Sequence, residues 1–224
     1  MVRRLLLAVV LLAVAACGPA AGGTAGLAGG TGDVTPLPAP DTAGEMSLEE
    51  ALAARRSVRE FEARALTEAE LGQLLWAAQG TTDGRGYRTA PSAGALYPLE
   101  VYVATADGLF RYEVDRHALA VVRRADLRPA LHEAALGQAA VGRAPAVFVI
   151  AAVYERTAAK YGAERSPRYV HLEAGHAAQN LLLQAVALGL GAVSIGAFDD
   201  AGVQQALGLP EEEQPLYLIP VGEP

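Results

Sequence analysis

The sequence contains few of the residues that build disulfide frameworks and metal centres. Cys17 is the only cysteine among 224 residues, which excludes an internal disulfide and a cysteine-rich metal site. The four histidines lack the His-x-x-x-His spacing that places two zinc ligands on one helical face. They are His117, His132, His171 and His176. The sequence therefore predicts no metal site.

Positive charge is also in short supply. The chain carries 18 Lys and Arg residues against 25 Asp and Glu residues, which gives a formal net charge of −7. Proteins that bind nucleic acids usually need a basic surplus to neutralise the phosphate backbone. We therefore expect no nucleic-acid partner.

No apolar run in the sequence reaches the roughly 20 residues that a membrane-spanning helix needs. A shorter run over 5–14 follows two arginines and fits the apolar region of a secretory signal peptide. The next residues, Val14-Ala15-Ala16-Cys17, resemble the bacterial lipobox, whose cysteine is acylated and begins the mature protein. We therefore expect a lipoprotein signal peptide over 1–16 and lipidation of Cys17. An ordinary signal peptide with an incidental cysteine is the alternative, and Arg3-Arg4 leave the export route open between the general secretory and the twin-arginine pathway.

The segment after the cysteine has a composition typical of a flexible linker. Residues 18–44 include eight glycines, four prolines and six alanines but no aromatic residue. Such a segment cannot bury enough apolar surface to offset the entropy lost on ordering it. We therefore expect a lipid-anchored flexible tether over 17–44 and one globular domain over 45–224. The domain is then expected outside the cytoplasm, on a membrane of the bacterial cell envelope.

Capping signals predict the first two helices of the domain. Ser47-Leu48-Glu49-Glu50 and Thr67-Glu68-Ala69-Glu70 are capping boxes, in which a hydroxyl and a glutamate satisfy backbone N–H groups at a helix start. We expect helices over 48–55 and from 68 to Gly80, where glycine can end the second helix. Further helices are expected over 126–141 and, from a Ser-Pro start, over 166–188.

Apolar patterns predict the strands. Residues 100–104 and 109–114 flank an Asp-Gly turn and indicate a hairpin. Residues 146–153 form a continuous apolar run, typical of a central strand buried on both faces. Further strands are expected over 192–197 and 216–221. Helices and strands do not alternate strictly, which favours an α+β fold with a sheet flanked by helices.

A cluster of arginines is the first candidate binding site. Arg55, Arg56, Ser57 and Arg59 lie where the first predicted helix ends. Guanidinium groups offer planar, charge-assisted donors that suit phosphate, and serine adds a hydroxyl. A solvated charged patch is the alternative, because cations are favourable at a helix C-terminus in any case.

A loop rich in small residues is the second candidate. Pro91, Ser92 and Gly94 lie within residues 88–98, whose backbone could approach a flat ligand closely, and Ser92 could donate a hydrogen bond. A turn-rich connection is the alternative. No Gly-x-Gly-x-x-Gly motif follows a predicted strand, so a Rossmann dinucleotide site is not indicated.

Together the motifs resemble the nitroreductase-like FMN flavoprotein superfamily and, within it, the SagB/ThcOx-type dehydrogenases, which oxidise azolines to azoles in ribosomal peptides. Arg55-Arg56-Ser57-Val58-Arg59 is similar to the motif that holds the FMN phosphate. Residues 88–102 resemble the flavin-contacting loop and strand, and residues 189–198 the segment against the isoalloxazine ring. The most distinctive stretch of the SagB-type group is similar to Lys160-Tyr161-Gly162, Arg168-Tyr169, Glu173-Ala174-Gly175-His176 and Gln179-Asn180-Leu181.

The resemblance implies a mixed sheet flanked by helices and a homodimer with FMN in two interfacial sites. It assigns cofactor binding to Arg55, Arg56, Ser57, Arg59, Pro91, Ser92, Gly94, Ser194, Ile195 and Gly196. It assigns proton handling to Lys160 and Tyr161, for which an exposed lysine beside an interface tyrosine is the alternative. The apolar helix over 168–188 suits a dimer interface or, equally, the core, and His176 on it suits a satisfied core histidine.

Two features depart from the pattern. Many superfamily members bind the phosphate with further Lys or Arg residues near the C-terminus, whereas this chain ends Val221-Gly222-Glu223-Pro224. Phosphate binding would then rest on the arginine cluster, with Arg165 or Arg168 as further candidates. The export signal is the second departure, because a peptide-tailoring dehydrogenase normally works beside cytoplasmic partners.

The sequence therefore predicts an FMN-dependent oxidoreductase that acts outside the cytoplasm on a small molecule or a peptide, with a nicotinamide or another electron donor or acceptor. One alternative is a broad-specificity reductase of nitro compounds, quinones or flavins, which the scarcity of reduced nicotinamide outside the cytoplasm disfavours. The other alternative is a lipoprotein that binds flavin or another ligand without turnover.

Overall fold

The computed structural model describes residues 33–224. The predicted signal peptide, Cys17 and the first part of the predicted tether lie outside the described residues. In the part of the chain that is described, no helix is long and apolar enough to cross a membrane.

The described residues form one sheet of seven strands. The strands are β1 (Val34–Pro36), β2 (Leu99–Thr105), β3 (Gly108–Glu113), β4 (Ala118–Arg123), β5 (Ala146–Val153), β6 (Gly191–Ala192) and β7 (Glu213–Gly222). Their order is β1-β4-β3-β2-β5-β7-β6, and the paired strands are antiparallel. The expected mixed sheet is thus antiparallel between its strands, with one parallel bridge, from Ser57 to Ala192, at its edge.

Strand β5 lies inside the sheet and is buried on both faces, as predicted. Phe148 and Ile150 contribute to the core on one face, and Val147 and Val149 contribute to the core on the other. Its neighbours β2 and β7 pair with it along both edges. The predicted hairpin between β2 and β3 is also confirmed, since their pairing runs up to the Asp-Gly turn.

Seven α-helices accompany the sheet within residues 33–224. They are α1 (Leu48–Ala54), α2 (Glu68–Gln79), α3 (Arg128–Ala134), α4 (Ala139–Arg143), α5 (Tyr154–Tyr161), α6 (Ser166–Ala187) and α7 (Asp200–Leu207). Both predicted capping boxes form, at the starts of α1 and α2, and Gly80 caps the end of α2. The fold is therefore α+β, with helices on both faces of the sheet.

The two faces of the sheet carry different helices. Residues of α2 and α6, among them Leu74 and Leu181, contribute to the core on the first face. Residues of α3, α4 and α7, among them Leu131, Val141 and Val203, contribute to the core on the second face. The first face therefore carries α6, the helix that contains the motifs over 173–176 and 179–181.

Three predicted elements differ from the structure. The helix expected over 126–141 is two helices, because Leu136 and Gly137 take left-handed backbone angles of +59° and +70° that end α3. The strand expected over 192–197 is the two-residue β6, followed by one bridge from Ile195 to Leu218. Helix α6 begins without the predicted serine cap, because Ser166 Oγ donates instead to the carbonyl of Tyr154 at 2.8 Å.

The predicted tether extends too far. Strand β1 pairs with β4, Leu37 is buried, and Leu37 N donates to the carbonyl of His117 at 3.0 Å. Asp41 N donates to the side chain of Gln73 at 2.8 Å, and that amide returns a bond to the Asp41 carbonyl at 2.9 Å. The ordered domain therefore begins before Glu45, because partners distant in sequence compensate for a glycine- and proline-rich composition.

Candidate active site

The predicted arginine cluster lies at the end of α1, beside β6. Arg55 is the residue that caps α1, and Ser57 forms the parallel bridge to Ala192. The amide of Val58 donates to the carbonyl of Ala192 at 3.1 Å. A methyl group on Gly191 would lie 2.6 Å from Val58 Cγ1, so glycine is needed for this approach. The motif thus lies against the second predicted flavin-contacting segment.

That segment continues after β6 through Ser194, Ile195 and Gly196. Ile195 is buried and exchanges two backbone hydrogen bonds with Leu218, of 2.8 and 3.0 Å. Ser194 and Gly196, on either side, are exposed. A carbon on Gly196 would lie no closer than 3.9 Å to Tyr217, so its backbone is open on one side. Open backbone of this kind can approach a flat ligand.

Two of the three arginines in the cluster keep donors available for an anion. The carboxylate ion pairs observed in residues 33–224 involve other arginines. Arg56 donates to the carbonyls of Ala53 and Arg55, at 2.9 and 2.7 Å, and so helps to end α1. The side chain of Arg55 is half-buried, and Arg59 is exposed with one long contact of 3.5 Å to the Ser57 carbonyl.

A cavity of about 310 Å³ opens beside Arg59. Arg143, at the end of α4, lines it together with Ile195 and Gln138. Gln138 Nε2 donates to the carbonyl of Ala197 at 2.7 Å, which joins the start of α4 to the segment after β6. Arg143 is a candidate residue that sequence reasoning missed, because no motif surrounds it and α4 was expected to continue α3.

The second predicted site is the loop over 88–98, whose backbone is strained. Gly94, Ala95 and Tyr97 have φ angles of +66°, +53° and +45°. Glycine adopts this left-handed conformation readily, whereas other residues adopt it rarely. Ser92 Oγ accepts a hydrogen bond from the Tyr97 amide at 2.9 Å and closes the turn. Strain at two residues of one short loop means that the surrounding structure fixes its shape.

Helix α6 holds the start of this loop through two side chains. Asn180 Nδ2 donates to the carbonyl of Thr89 at 3.3 Å, and His176 Nδ1 donates to the carbonyl of Pro91 at 3.3 Å. The second bond requires the proton on Nδ1 of the imidazole. His176 is exposed, so the expectation of a core histidine is wrong, and its ring instead fixes the course of the loop.

The predicted proton-handling pair ends α5 and faces the same loop. A methyl group on Gly94 would lie 2.8 Å from Lys160 Nζ and 2.9 Å from Tyr161 Oη. Lys160 Nζ lies 5.5 Å from the centroid of the Tyr161 ring, and that ring lies 4.7 Å from the ring of Tyr169. The fold therefore brings Gly94, Lys160 and Tyr161 together from distant parts of the chain.

Arg156 joins α5 to the loop. Its guanidinium donates to Glu100 Oε1 at 2.5 Å and to the Tyr97 carbonyl at 3.2 Å. Because Arg156 is in α5, its bond to Tyr97 joins the helix of Lys160 and Tyr161 to the loop, and its bond to Glu100 joins the same helix to β2. Sequence reasoning missed Arg156 because α5 follows β5 directly from Val153 and has no side-chain cap to announce it.

The candidate residues thus form two groups. The anion cluster is Arg55, Ser57, Arg59, Arg143 and the segment 194–196, whereas the loop cluster is Ser92, Gly94, Lys160 and Tyr161. Within residues 33–224, no side-chain hydrogen bond joins one group to the other. Arg165 and Arg168, the further phosphate candidates, are exposed residues at the start of α6.

Comparison with known families identifies the chain. A family model described as Nitroreductase family matches residues 52–223, which include both groups of candidate residues. The chain belongs to the nitroreductase family. It is therefore an enzyme, a flavin-dependent oxidoreductase.

Individual relatives agree with the family. A Methanocaldococcus jannaschii protein named as a nitroreductase is 46% identical over 197 residues, which are 85% of this chain and 98% of that protein. A crystal structure from Ralstonia eutropha, also named as a nitroreductase, is 36% identical with a TM-score of 0.77, over 85% of this chain and 89% of that one. The NADPH:FMN oxidoreductase of Vibrio harveyi is 26% identical with a TM-score of 0.60, over 79% and 68% of the two chains. This nitroreductase-family protein thus resembles flavin-linked oxidoreductases along most of its length.

Proposed function

We propose that this protein is an FMN-dependent dehydrogenase of the SagB type that oxidises a small heterocycle or a modified peptide. The observation that carries the proposal is the convergence of Lys160 and Tyr161 on Gly94. An amine and a phenol at one point offer two groups that can exchange a proton with a substrate. Both belong to the motif that resembles the SagB-type group.

The anion cluster fits the phosphate of FMN. Arg55 and Arg59 have no carboxylate partner among the ion pairs within residues 33–224, and Ser57 adds an exposed hydroxyl. Arg143 brings a further guanidinium to the cavity beside Arg59. Several charge-assisted donors are well suited to a phosphate dianion. In this proposal Arg143 takes the place of the C-terminal cations that the chain lacks.

A homodimer would combine the two groups in one site. The anion cluster of one protomer would hold the phosphate while the loop cluster of its partner faces the flavin ring. Support comes from exposed apolar side chains on two helices, Leu48 and Leu52 of α1 at 60% and 52% exposure and Leu172 of α6 at 52%. Exposed apolar surface of this kind favours association. We therefore propose FMN in each of two interfacial sites.

The proposed roles of FMN, Lys160 and Tyr161 follow from what the oxidation of an azoline requires. Bound FMN supplies the acceptor for a hydride. When an azoline becomes an azole, the ring loses one hydride and one proton, so a proton acceptor is needed as well. In this proposal the amine of Lys160 is the acceptor of that proton, and Tyr161 Oη relays it or orients the substrate by donating a hydrogen bond.

A broad-specificity reductase of nitro compounds, quinones or flavins is the second candidate. Its support is the likeness to the Vibrio harveyi NADPH:FMN oxidoreductase, whose structure was solved with NAD+. In that reaction a reduced nicotinamide donates the hydride and the second substrate receives it. The two candidates differ in the direction of hydride transfer at the loop cluster.

We also propose that acyl chains on Cys17 hold the enzyme at a membrane outside the cytoplasm. The support is the Val14-Ala15-Ala16-Cys17 sequence after a signal-like apolar run. A compartment poor in reduced nicotinamide would favour the dehydrogenase over the reductase.

The experiment starts from the chromophore of the purified protein. We expect a yellow protein that releases FMN on denaturation. An azoline-containing peptide should bleach the flavin under anaerobic conditions and lose two hydrogens. Bleaching by NADPH or NADH, with nitro or quinone reduction and no peptide oxidation, would establish the reductase instead. A colourless protein that does not bind added FMN would overturn both candidates.

A further inference from the structure

Tyr97 has a backbone conformation that its place in the sequence disfavours. Its φ angle is +45°, in the left-handed region that residues with a side chain rarely adopt. Tyr97 also precedes Pro98, and the residue before a proline favours extended backbone. A conformation of this kind persists only where the surrounding structure holds it. The groups that contact Tyr97 therefore indicate how the loop over 88–98 keeps its shape.

Three side chains contact three different parts of Tyr97. Ser92 Oγ accepts a hydrogen bond from its amide at 2.9 Å, and the guanidinium of Arg88 lies 4.4 Å from the centroid of its ring. Arg156 Nη1 donates to its carbonyl at 3.2 Å. Ser92 and Arg88 belong to the loop, whereas Arg156 belongs to α5. Of these three contacts, the one from Arg156 therefore joins Tyr97 to a different element.

The guanidinium of Arg156 has a second partner that fixes its orientation. Its Nη2 donates to Oε1 of Glu100 in β2 at 2.5 Å, and the side chain of Glu100 is only 18% exposed. The donors of a guanidinium have fixed directions, so the bond to Glu100 also orients Nη1 toward the Tyr97 carbonyl. Hydrogen bonds between charged groups are also stronger than those between neutral ones. Arg156 thus fastens α5 to β2 and to the loop at the same time.

Lys160 follows Arg156 by four residues in α5. Residues four apart lie on the same face of a helix, so the face that Arg156 turns toward the loop also carries Lys160. The contacts agree, since a methyl group on Gly94 would lie 2.8 Å from Lys160 Nζ. The carboxylate ion pairs within residues 33–224 do not include Lys160. The position of its amine therefore depends on where α5 lies.

We propose that Arg156 is a positioning residue that holds Lys160 and Tyr161 against the strained loop. It acts by binding the Tyr97 carbonyl and Glu100 from the helix that carries the pair. Its effect on turnover rests on the proposed function, whereas its effect on the loop does not. A catalytic group displaced by about 1 Å can lose roughly 10²-fold in rate. Arg156 therefore contributes to proton transfer without contacting the substrate.

Arg156→Lys tests the proposal and keeps the positive charge. An ammonium group is a compact charge on a flexible stem, so it does not reproduce the paired bonds of a guanidinium to Glu100 and the Tyr97 carbonyl. Arg128→Lys is the matched control. Arg128 also donates to one carboxylate, that of Asp126, and to two backbone carbonyls, but it lies in α3 on the other face of the sheet.

Amide hydrogen exchange in the full-length protein as purified measures the effect on the loop. We expect exchange of the Tyr97 amide to accelerate at least about tenfold in Arg156→Lys, with the amides of β5 unchanged, because the loop opens locally. Arg128→Lys should leave exchange at Tyr97 as in the wild type. If Arg156→Lys does not fold, Glu100→Gln removes the charged acceptor instead and is expected to accelerate exchange at Tyr97. Unchanged exchange, or equal acceleration in Arg128→Lys, would overturn the positioning role.

Turnover shows whether Arg156 acts through the catalytic pair. In Arg156→Lys we expect kcat for azoline oxidation to fall at least about tenfold, with little change in KM. Quinone reduction should persist, and flavin content should stay at the wild-type level because the anion cluster is intact. An equal loss of quinone reduction would make Arg156 a general structural residue and overturn the proposal.

A double variant provides the strictest test. When Lys160→Ala has already removed the amine, Arg156→Lys should lower azoline oxidation little further, because both changes affect one proton transfer. Losses that multiply in full would show that Arg156 does not act through Lys160. A protein that lacks FMN or oxidises no azoline would overturn the proposed function, yet the exchange result would still decide whether Arg156 holds the loop.

Discussion

Lys160 lies so close to Gly94 that a methyl group on the glycine would be 2.8 Å from Nζ. Gly94 also has a φ of +66°. Glycine is thus required at this position for two independent reasons, the positive φ angle and the lack of space for a side chain. The two reasons can be separated experimentally, because another glycine of the chain has a positive φ angle but open space around it.

We expect Gly94→Ala to lower turnover by at least about tenfold, since Lys160 and Tyr161 must move away from the loop. Left-handed strain should also cost about 1 kcal/mol in the free energy of unfolding. Gly86→Ala is the matched control, because Gly86 has a φ of +82° but nothing within 4 Å of an added carbon. It should lose similar stability and keep its activity, as measured by urea unfolding and steady-state rates. Equal losses of activity would show that strain alone matters.

Lys160→Ala and Tyr161→Phe separate proton transfer from binding. General acid–base groups contribute roughly 10²–10⁴-fold in rate, so azoline oxidation should fall at least about tenfold in each variant. Flavin content should stay near that of the wild type, because the anion cluster is unchanged. Quinone reduction serves as the internal control and should persist. Loss of flavin in both variants would make the pair structural.

Arg55→Ala combined with Arg59→Ala tests the anion cluster. Removing a charge-assisted phosphate contact costs about 1.5–3 kcal/mol, or roughly 10–150-fold in affinity. The double variant should fold but purify largely without flavin, as titration with added FMN would show. The control is Arg85→Ala combined with Arg116→Ala, which removes the same charge from other exposed positions. This control variant should bind FMN with wild-type affinity. If the variant with Arg55→Ala and Arg59→Ala binds flavin at full stoichiometry and with unchanged affinity, these arginines are not the phosphate site.

The buried pair of Tyr102 and Glu213 makes stability depend on pH. Tyr102 Oη donates to Glu213 Oε2 at 2.6 Å, and burial raises the pKa of Glu213 above its ordinary value of 4.5. Between the unfolded and folded pKa values, the folded state binds more protons than the unfolded state. The contribution of Glu213 to the free energy of unfolding therefore falls as the pH rises through this window.

Glu213→Gln should make that decline shallower. The glutamine does not titrate, yet its oxygen can still accept from Tyr102. Urea unfolding from just below the ordinary pKa to neutrality would measure the two slopes. Glu212→Gln, at the exposed neighbouring position, should leave the slope as it is in the wild type. Identical slopes in the wild type and Glu213→Gln would show that this carboxyl group does not titrate in the window.

Cys17→Ala should abolish labelling by a fatty-acid analogue and move the protein from the membrane fraction to the soluble one. Several acyl chains hold a protein firmly, whereas a single chain binds marginally. Thr24→Ala, in the same segment of the sequence, should be labelled like the wild type. Equal labelling of Cys17→Ala would exclude lipidation at this residue.

Local signals were sufficient for much of the fold. Both capping boxes and the apolar run of β5 depend on neighbouring residues, and the structure confirms them. Helix α5 was missed because it follows β5 without a cap, and β1 was missed because its stability comes from pairing with β4. Composition indicates the conformation that a segment prefers in isolation, and it does not include the pairing that distant strands provide.

The candidate site could likewise be predicted only in part from the sequence. The resemblance indicated Gly94, Lys160 and Tyr161, but only the fold shows that the amine and the phenol meet at the glycine. Arg143 and Arg156 carry no local motif, so their positions follow from how α4 and α5 pack. The resemblance pointed to Ser92 as a donor to a ligand, but only the fold shows that its oxygen accepts from the Tyr97 amide and closes the turn.

Strand β1 also hinders edge-to-edge pairing between the sheets of neighbouring molecules. It covers the outer edge of β4, whose backbone groups would otherwise be free to pair with a strand of another chain. Pro36 in β1 has no backbone N–H, which makes the new edge a poorer template. The proposed lipid anchor would crowd neighbouring molecules on a membrane and raise their local concentration. A chain trimmed to Glu45 would therefore keep the proposed catalytic residues but expose an aggregation-prone edge.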